Sequence, residues 1–100
     1  MSVLITMTVP ADTEAFRAFA AENPDTLTAI ANRGRDMGAI HHRFGIGNGN
    51  VIVVDEWDNA EAFQSFFEDN EEIAAVMQAA GASGPPQVSV YEALETADMF

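Results

Sequence analysis

The chain has 100 residues, of which 48% are hydrophobic, and sixteen acidic side chains against four arginines give a formal net charge of −12. A chain of this length and composition can bury a core, so residues 1–100 are predicted to form a single domain. A strongly negative charge repels phosphate backbones and anionic lipid surfaces, which argues against nucleic-acid and membrane partners.

Cysteine is absent, which excludes disulfides, thiolate catalysis and cysteine-ligated metals. The first residues, MSVLITMTVP, have no basic stretch before a short apolar run, so no signal peptide is predicted. No apolar segment approaches the length of a membrane span. A cytoplasmic location is the resulting expectation.

The amino-terminal part of the sequence predicts a strand followed by helix. Residues 2–9 carry apolar side chains at every second position, the period of a β-strand with one buried face. Across residues 13–35 the apolar residues have helical spacing, and Asp12 precedes them as a candidate N-cap. Because Pro24 interrupts this pattern, we expect a kinked helix or two abutting helices.

The carboxyl-terminal part predicts a second helical segment and a last strand. Asp58 and Glu61, three residues apart, resemble a capping box that opens the helix, and Asn70 marks a break within it. Residues 87–93 alternate again and are predicted to form the last strand. The apolar pair at residues 99–100 is expected to pack on the body of the protein or across a dimer, with a frayed end as the alternative.

The most informative stretch is a predicted β-hairpin over residues 39–57. An Asn-Gly pair flanked by alternating apolar residues is the strongest short-range signal for a hairpin, and residues 48–49 supply it. Taking these two residues as the loop fixes the pairing of the flanking strands. The predicted cross-strand pairs are Phe44 with Val53, His42 with Asp55, His41 with Glu56, and Ile40 with Trp57.

The predicted order of elements is β-α-β-β-α-β. This order is typical of the α+β, ferredoxin-like fold, a four-stranded antiparallel sheet with helices on one face. Two helical segments cover only one face of such a sheet, so the other face must meet solvent or a partner. That face carries apolar side chains, namely Leu4, Ile52, Val54 and Tyr91 or its neighbours. A homodimer joined sheet to sheet is therefore predicted.

The hairpin register separates the two adjacent histidines, because neighbouring strand residues point to opposite faces. His42 and Asp55 are predicted beneath the helices, near Trp57. A carboxylate partner fixes the tautomer of a histidine, so His42 is the candidate general base and Asp55 its orienting partner. A structural polar pair at the strand end is the alternative. His41 and Glu56 are predicted on the partner-facing side, and the two histidines therefore cannot share a metal ion.

The aromatic side chains around this pair predict either a core or a pocket. Phe44, Phe63 and Phe66, together with Trp57, are the candidate substrate-binding residues of an apolar pocket between helices and sheet. Such side chains more often form a closed core, which is the alternative. The sequence has no phosphate-binding glycine loop in the right context and no nucleophile elbow, and no cofactor is predicted.

Residues 53–67, VVDEWDNAEAFQSFF, resemble the strand-to-helix signature of the dimeric α/β-barrel superfamily, especially its antibiotic biosynthesis monooxygenase type. The matching positions are Asp55, Trp57, Asn59 and Glu61. The resemblance implies a homodimer whose two sheets close into a barrel, with a cavity between sheet and helices in each subunit. The superfamily includes cofactor-independent oxygenases of aromatic polyketides, haem-degrading oxygenases, isomerases and cyclases, so the fold does not decide the reaction.

The sequence departs from this family at several polar positions. The asparagine that the monooxygenases have four residues before the tryptophan is Val53 here, and their tyrosine six residues after it is Phe63. The histidine that many members have nine residues after the tryptophan is Phe66. Residues 2–9 contain no asparagine and residues 59–80 contain no histidine, which argues against haem degradation.

Two functions remain open on the sequence. The first is a small enzyme, similar to the cofactor-independent monooxygenases, that acts on an apolar or aromatic metabolite and uses His42 and Asp55 in place of the missing polar groups. Oxygenation, isomerisation and cyclisation are not distinguished. The alternative is a non-catalytic ligand-binding or dimerisation module. A cavity beside His42 that is filled by the side chains of Phe44, Phe63 and Phe66 would exclude the enzyme.

Overall fold

The structure is a computed structural model that describes residues 1–100 and contains four strands and four helices. In chain order the elements are β1 (Val3–Pro10), α1 (Thr13–Glu22), α2 (Pro24–Met37), β2 (Ala39–Gly47), β3 (Asn50–Trp57), α3 (Ala60–Phe67), α4 (Glu71–Ala79) and β4 (Gln87–Glu92). The strands form one antiparallel sheet in the order β2-β3-β1-β4. The predicted ferredoxin-like α+β fold is confirmed. None of the helices is both long enough and apolar enough to cross a membrane.

Each of the two predicted helical segments is divided by an asparagine. Asn23 separates α1 from α2 and directly precedes Pro24, whose missing N–H is tolerated at the first helical position. Asn70 separates α3 from α4, and its side-chain oxygen accepts hydrogen bonds from the backbone N–H groups of Glu72 and Ile73. Both predicted interruptions are therefore confirmed as breaks between two helices.

The predicted start of the second helical segment is wrong by one residue. The N-cap of α3 is Asn59, whose side-chain oxygen accepts a hydrogen bond from the backbone N–H of Ala62 at 2.8 Å. Asp58 lies before the cap, and its backbone N–H donates to the carbonyl of Gly38 at 2.9 Å. The proposed capping box of Asp58 with Glu61 does not form, because the helix begins one residue later.

The hairpin between β2 and β3 has the predicted register. Asn48 and Gly49 both have positive φ angles, 53° and 75°, as a two-residue turn of type I′ requires. The pairs of Phe44 with Val53, His42 with Asp55 and His41 with Glu56 are confirmed.

The last predicted pair of the hairpin, Ile40 with Trp57, is wrong. A β-bulge between Ala39 and His41 puts Ala39 opposite Trp57 instead. Ile40 is the extra residue and is 45% exposed, whereas Ala39 packs against the buried group that contains the indole. A strict two-residue alternation cannot reveal an inserted residue, which is why the sequence pattern gave the wrong partner.

The core lies between the helices and one face of the sheet, in three groups of buried side chains. Near the hairpin turn are Phe16, Val51, Val76 and Ala80; in the middle are Met7, Val9 and Val53; at the far end are Ile5, Trp57 and Phe63. The alternation predicted for the first strand is confirmed, because every second side chain of β1 from Ile5 to Val9 is buried.

No helix covers the other face of the sheet, and we call it the open face. The predicted apolar side chains lie there, namely Leu4, Ile52, Val54 and Tyr91, between 38% and 54% exposed. The chain has 6586 Å² of accessible surface. A globular monomer of 10.8 kDa is expected to have about 5,500 Å², roughly 1,000 Å² less. Part of the excess comes from the chain end, where Leu94, Met99 and Phe100 are all more than 60% exposed.

The apolar chain end is largely exposed, and only Met99 borders the body of the protein, in a recess that Leu4 and Glu56 also line. Met99 is 61% exposed and Phe100 is fully exposed. Packing of this end across a dimer stays a prediction.

The N-cap of α1 gives the first test. Asp12 Oδ1 accepts hydrogen bonds from the backbone N–H groups of Glu14 and Ala15, both at 3.1 Å. We expect Asp12→Ala to lower the free energy of unfolding by about 1 kcal/mol, measured by urea denaturation. The control is Glu22→Ala, an exposed acidic residue at the other end of α1, with an expected change below about 0.5 kcal/mol. Equal losses in both variants would contradict the capping role.

Candidate functional site

A cavity lies between the helices and the covered face of the sheet. It has about 100 Å³ of free space and is lined by nineteen residues, of which seventeen are hydrophobic. The lining extends from Val51 and Ala80, near the hairpin turn, to Asp55 and Phe63 at the opposite end of the sheet. The two remaining lining residues are His42 and Asp55, so all of the polar lining belongs to one pair of side chains.

His42 and Asp55 are hydrogen-bonded across two adjacent strands. The distance from Nδ1 of His42 to Oδ1 of Asp55 is 2.7 Å. The other carboxylate oxygen, Oδ2, accepts a hydrogen bond from Nε1 of Trp57 at 3.1 Å. Trp57 is 1% and Asp55 7% exposed, whereas the side chain of His42 is 35% exposed. A buried carboxylate with both oxygens occupied thus links an enclosed indole to a histidine at the edge of the cavity.

This hydrogen bonding fixes the tautomer of His42. An ionised carboxylate only accepts hydrogen bonds, so Nδ1 of His42 carries the proton and donates it to Asp55. The second ring nitrogen, Nε2, then presents its lone pair. The ring of Phe44 packs edge-to-face with the imidazole, with 4.7 Å between the ring centroids, and limits its rotation. A histidine that a carboxylate holds in this way is chemically able to act as a general base.

A second histidine–carboxylate pair lies directly behind the first, on the open face. Nδ1 of His41 is 3.0 Å from Oε1 of Glu56, and the hydroxyl of Ser2 donates to Oε2 at 2.5 Å. The hydrogen bond from Ser2, and then that from His41, hold the pKa of Glu56 below its usual value of 4.5. The side chain of His41 is 77% exposed and lines no part of the cavity. No three histidine, aspartate or glutamate side chains of the chain are grouped so that they could hold a metal ion.

Three of the four aromatic residues predicted to bind substrate line the cavity, namely Phe44, Phe63 and Phe66. Their side chains surround the cavity and do not fill it. Trp57 does not line it. Its ring lies behind those of Phe63 and Phe66, with centroid distances of 5.6 Å and 5.3 Å. The position of Trp57 therefore suits it to orient Asp55 and not to contact a ligand.

Sequence reasoning missed most of the helical side of the cavity. The residues that it missed include Leu27, Ile30, Ile73 and Val76. Helical spacing identified most of these residues as apolar faces directed towards the sheet. Spacing along one helix does not reveal how far four helices stand from the sheet, so no local signal could have shown that a space remains between them.

No protein-family model matches the chain, and no curated protein matches it in sequence. Its structure is similar to that of ActVA-Orf6, a monooxygenase of Streptomyces coelicolor solved with nanaomycin D, with a TM-score of 0.68, 14% identity, and coverage of 95% of this chain and 89% of that one. It is also similar to SnoaB, a cofactor-independent oxygenase of Streptomyces nogalater, with a TM-score of 0.62, 12% identity, and coverage of 98% of each chain.

A protein of Deinococcus radiodurans assigned as an antibiotic biosynthesis monooxygenase has a TM-score of 0.64 and 21% identity, with coverage of 98% of each chain. These similarities confirm the predicted resemblance at the level of the fold. The chain has the fold of the antibiotic biosynthesis monooxygenases.

The pair of His41 and Glu56 on the open face gives a prediction of how stability depends on pH. Because folding lowers the pKa of Glu56, its contribution to stability is fully present above about pH 4.5 and is lost as the pH falls through the lower folded value. We expect Glu56→Gln to lower the melting temperature at neutral pH and to flatten its decline below about pH 4.5. Thermal melts at a series of pH values measure this. Glu68→Gln, an equal charge change at an exposed position, is the control. Identical profiles for the two variants would show that the pair contributes no stability.

Proposed function

We propose that the protein is a small enzyme of the cofactor-independent monooxygenase kind, which acts on an apolar or aromatic metabolite bound in the cavity. The observation that carries this proposal is the placement of the only ionisable pair of the lining. His42 is oriented by the buried carboxylate of Asp55 and borders a space that is otherwise apolar. A base in such a site meets a bound molecule with little competing water, which is the arrangement that proton abstraction needs.

The proposed chemistry starts at Nε2 of His42. This nitrogen takes a proton from a carbon or hydroxyl group that a neighbouring ring or carbonyl makes acidic, and Asp55 stabilises the imidazolium that forms. The remaining anion is electron-rich and reduces dioxygen, which is the oxidant. For an activated methylene group the balance is one CH₂ and one O₂ giving one C=O and one H₂O. Four electrons pass from carbon to oxygen, so no cofactor has to supply any.

The structural similarities support this class of reaction. SnoaB is a cofactor-independent oxygenase, and ActVA-Orf6 was solved with nanaomycin D as its ligand. The feature that we transfer from this fold to the present chain is a ligand cavity between sheet and helices. The reacting groups differ, because the polar positions that the resemblance assigns to the monooxygenases hold Val53, Phe63 and Phe66 in this chain. His42 and Asp55 are the groups that remain for the chemistry.

A non-catalytic ligand-binding or dimerisation module is the second candidate. The observation in its favour is that both oxygens of Asp55 are already satisfied within the protein, by His42 and Trp57. A fully satisfied buried network stabilises one arrangement of the core and needs no ligand to complete it. In the first candidate His42 takes a proton from a bound molecule. In the second it only stabilises the end of the strand pair.

A homodimer joined through the open face is part of the proposal. The charged side chains that the four strands direct to the open face are those of Glu56 and Arg43, together with His41 when protonated. The remainder of the surface carries nearly all of the formal charge of −12. Two copies can therefore approach through this face with less repulsion than through any strongly acidic part of the surface. The apolar side chains of the open face provide the contact area.

The role of His42 can be tested with its neighbour as a matched control. We expect the wild type to consume dioxygen with phenylacetone or anthrone, a single-ring and a fused-ring compound that each have one activated methylene group. His42→Ala is expected to lower the rate at least about 10²-fold at a temperature at which the variant is still folded, because a positioned base contributes at least that much. Its melting temperature is expected to fall, since Oδ1 of the buried Asp55 loses its donor. His41→Ala removes the exposed histidine and is expected to stay within about twofold of the wild-type rate.

Oxygen uptake and product ketone, measured together, give the rates in this experiment. Wild-type uptake that persists unchanged in His42→Ala would contradict the catalytic role. Binding of either compound without any uptake by the wild type would select the non-catalytic candidate.

The dimer can be tested with two valines of similar exposure on opposite faces of the sheet. Val54 lies on the open face at 48% exposure, and Val88 on the helix side at 40%. We expect the wild type to sediment as a dimer at low micromolar concentration, and Val54→Glu to sediment as the 10.8 kDa monomer because it buries a charge in the contact. Val88→Glu is expected to remain dimeric. A wild type that sediments as a monomer would refute the homodimer.

A further inference from the structure

We propose that the cavity takes a slender, neutral amphiphile, with a single hydroxyl-bearing ring or an enol as its head and an unbranched apolar tail. The head lies beside His42 and the tail extends towards Ala80. This inference rests on the proposed function only for the fate of the head, because the binding of such a molecule can be measured whether or not it reacts.

The length of the cavity and its one polar end indicate an elongated ligand. Val51, Val53 and Asp55 are alternate residues of β3 and all three line the cavity. The four residue steps from Val51 to Asp55 span about 13 Å, so the lining has at least this extent along the sheet. Asp55 marks the polar end. The end at Val51 is wholly apolar, because the side chains grouped with Val51 are those of Phe16, Val76 and Ala80.

The small volume indicates a narrow ligand. The free space of about 100 Å³ is less than the roughly 150 Å³ of an engineered protein cavity that binds benzene, and less than the roughly 300 Å³ at which drug-sized pockets begin. Because this volume extends about 13 Å along the sheet, the space is narrow in cross-section. An unbranched chain enters it with smaller wall displacements than a fused ring system does. The walls most able to move are the side chains of Met7 and Met77, since methionine has three rotatable bonds.

The charges around the polar end favour a neutral head. None of the four arginines lines the cavity, and the carboxylate of Asp55 lies at the wall. An anionic head would lose its hydration beside a negative charge without gaining a fixed cation. A hydroxyl group, in contrast, can donate a hydrogen bond to Nε2 of His42.

The partial exposure of His42 indicates how such a molecule enters. His42 lines the cavity and its side chain is also 35% exposed, so the cavity is closest to solvent at its polar end. An amphiphile that enters tail first brings its apolar part to Ala80 and leaves its hydroxyl group at His42. The gradient from polar to apolar along the cavity thus matches the gradient along the ligand.

Calorimetric titration with para-alkylphenols tests the proposal, with the alkyl group lengthened from ethyl to hexyl. Each additional buried methylene is expected to tighten binding about fourfold, the factor that about 0.8 kcal/mol per methylene gives. Para-hexylbenzoate has the same tail with an anionic head, and anthrone is a compact fused-ring compound. Both are expected to bind at least about tenfold more weakly than para-hexylphenol. A series without length dependence, or equal binding of either comparison compound, would overturn the inference.

Variants at the apolar end test the position of the tail. Ala80 lines the cavity and is 3% exposed, so Ala80→Phe is expected to end the gain in affinity at a shorter alkyl chain. Ala79→Phe makes the same change one residue earlier, at an exposed position outside the cavity, and is expected to keep the wild-type series. Should Ala80→Phe fail to fold, Ala11→Leu fills the same end from a half-buried position beside the same core group. An unchanged series in a folded variant would contradict the placement.

The same measurements separate this inference from the proposed function. Length-dependent binding of the phenols without oxygen uptake from the activated methylene compounds would leave the ligand class intact and refute the oxygenase. Oxygen uptake with anthrone, combined with no length dependence among the phenols, would refute the ligand class alone.

Discussion

A slip of one residue in the pairing of β2 with β3 would bring His41 beneath the helices and turn His42 to the open face, because side chains alternate along a strand. The turn at Asn48 and Gly49 prevents this slip. Both residues adopt positive φ angles, which is the conformation that joins two twisted strands through a two-residue loop. Every feature of the site depends on this register, since it sets which histidine meets the buried carboxylate of Asp55.

Asp55 would be costly in an apolar interior on its own, because burying an unpaired carboxylate strongly disfavours the folded state. Here the donors Trp57 and His42 occupy its two oxygens, and the three residues form one continuous chain of hydrogen bonds. The buried end of this chain is rigid, since the indole is packed against Phe63 and Phe66. This chain of hydrogen bonds also determines which ring nitrogen of His42 is free. Engagement of Nδ1 leaves Nε2 as the nitrogen available to a bound molecule.

How far the sequence predicted the molecule follows from the range of the forces involved. The hairpin register and the helix breaks at Asn23 and Asn70 depend on local signals, and a single sequence was enough to identify them. The bulge at Ile40 was missed, because it depends on how Trp57 packs against the end of β2 and not on any residue pattern. The cavity was predicted only as one of two alternatives, since its existence is decided by the spacing between whole helices and the sheet.

One pair of neighbouring strands thus supports two different surfaces. Towards the helices, His42 and Asp55 form the polar end of an apolar cavity. Towards the open face, His41 and Glu56 form a second hydrogen-bonded pair. Because the two pairs occupy consecutive positions of the same strands, a partner that packs on the open face would press on the backbone that carries the site without touching the cavity. Association through that face would stiffen the end of the strand pair. A general base needs such stiffness if it is to keep its orientation while the ligand changes.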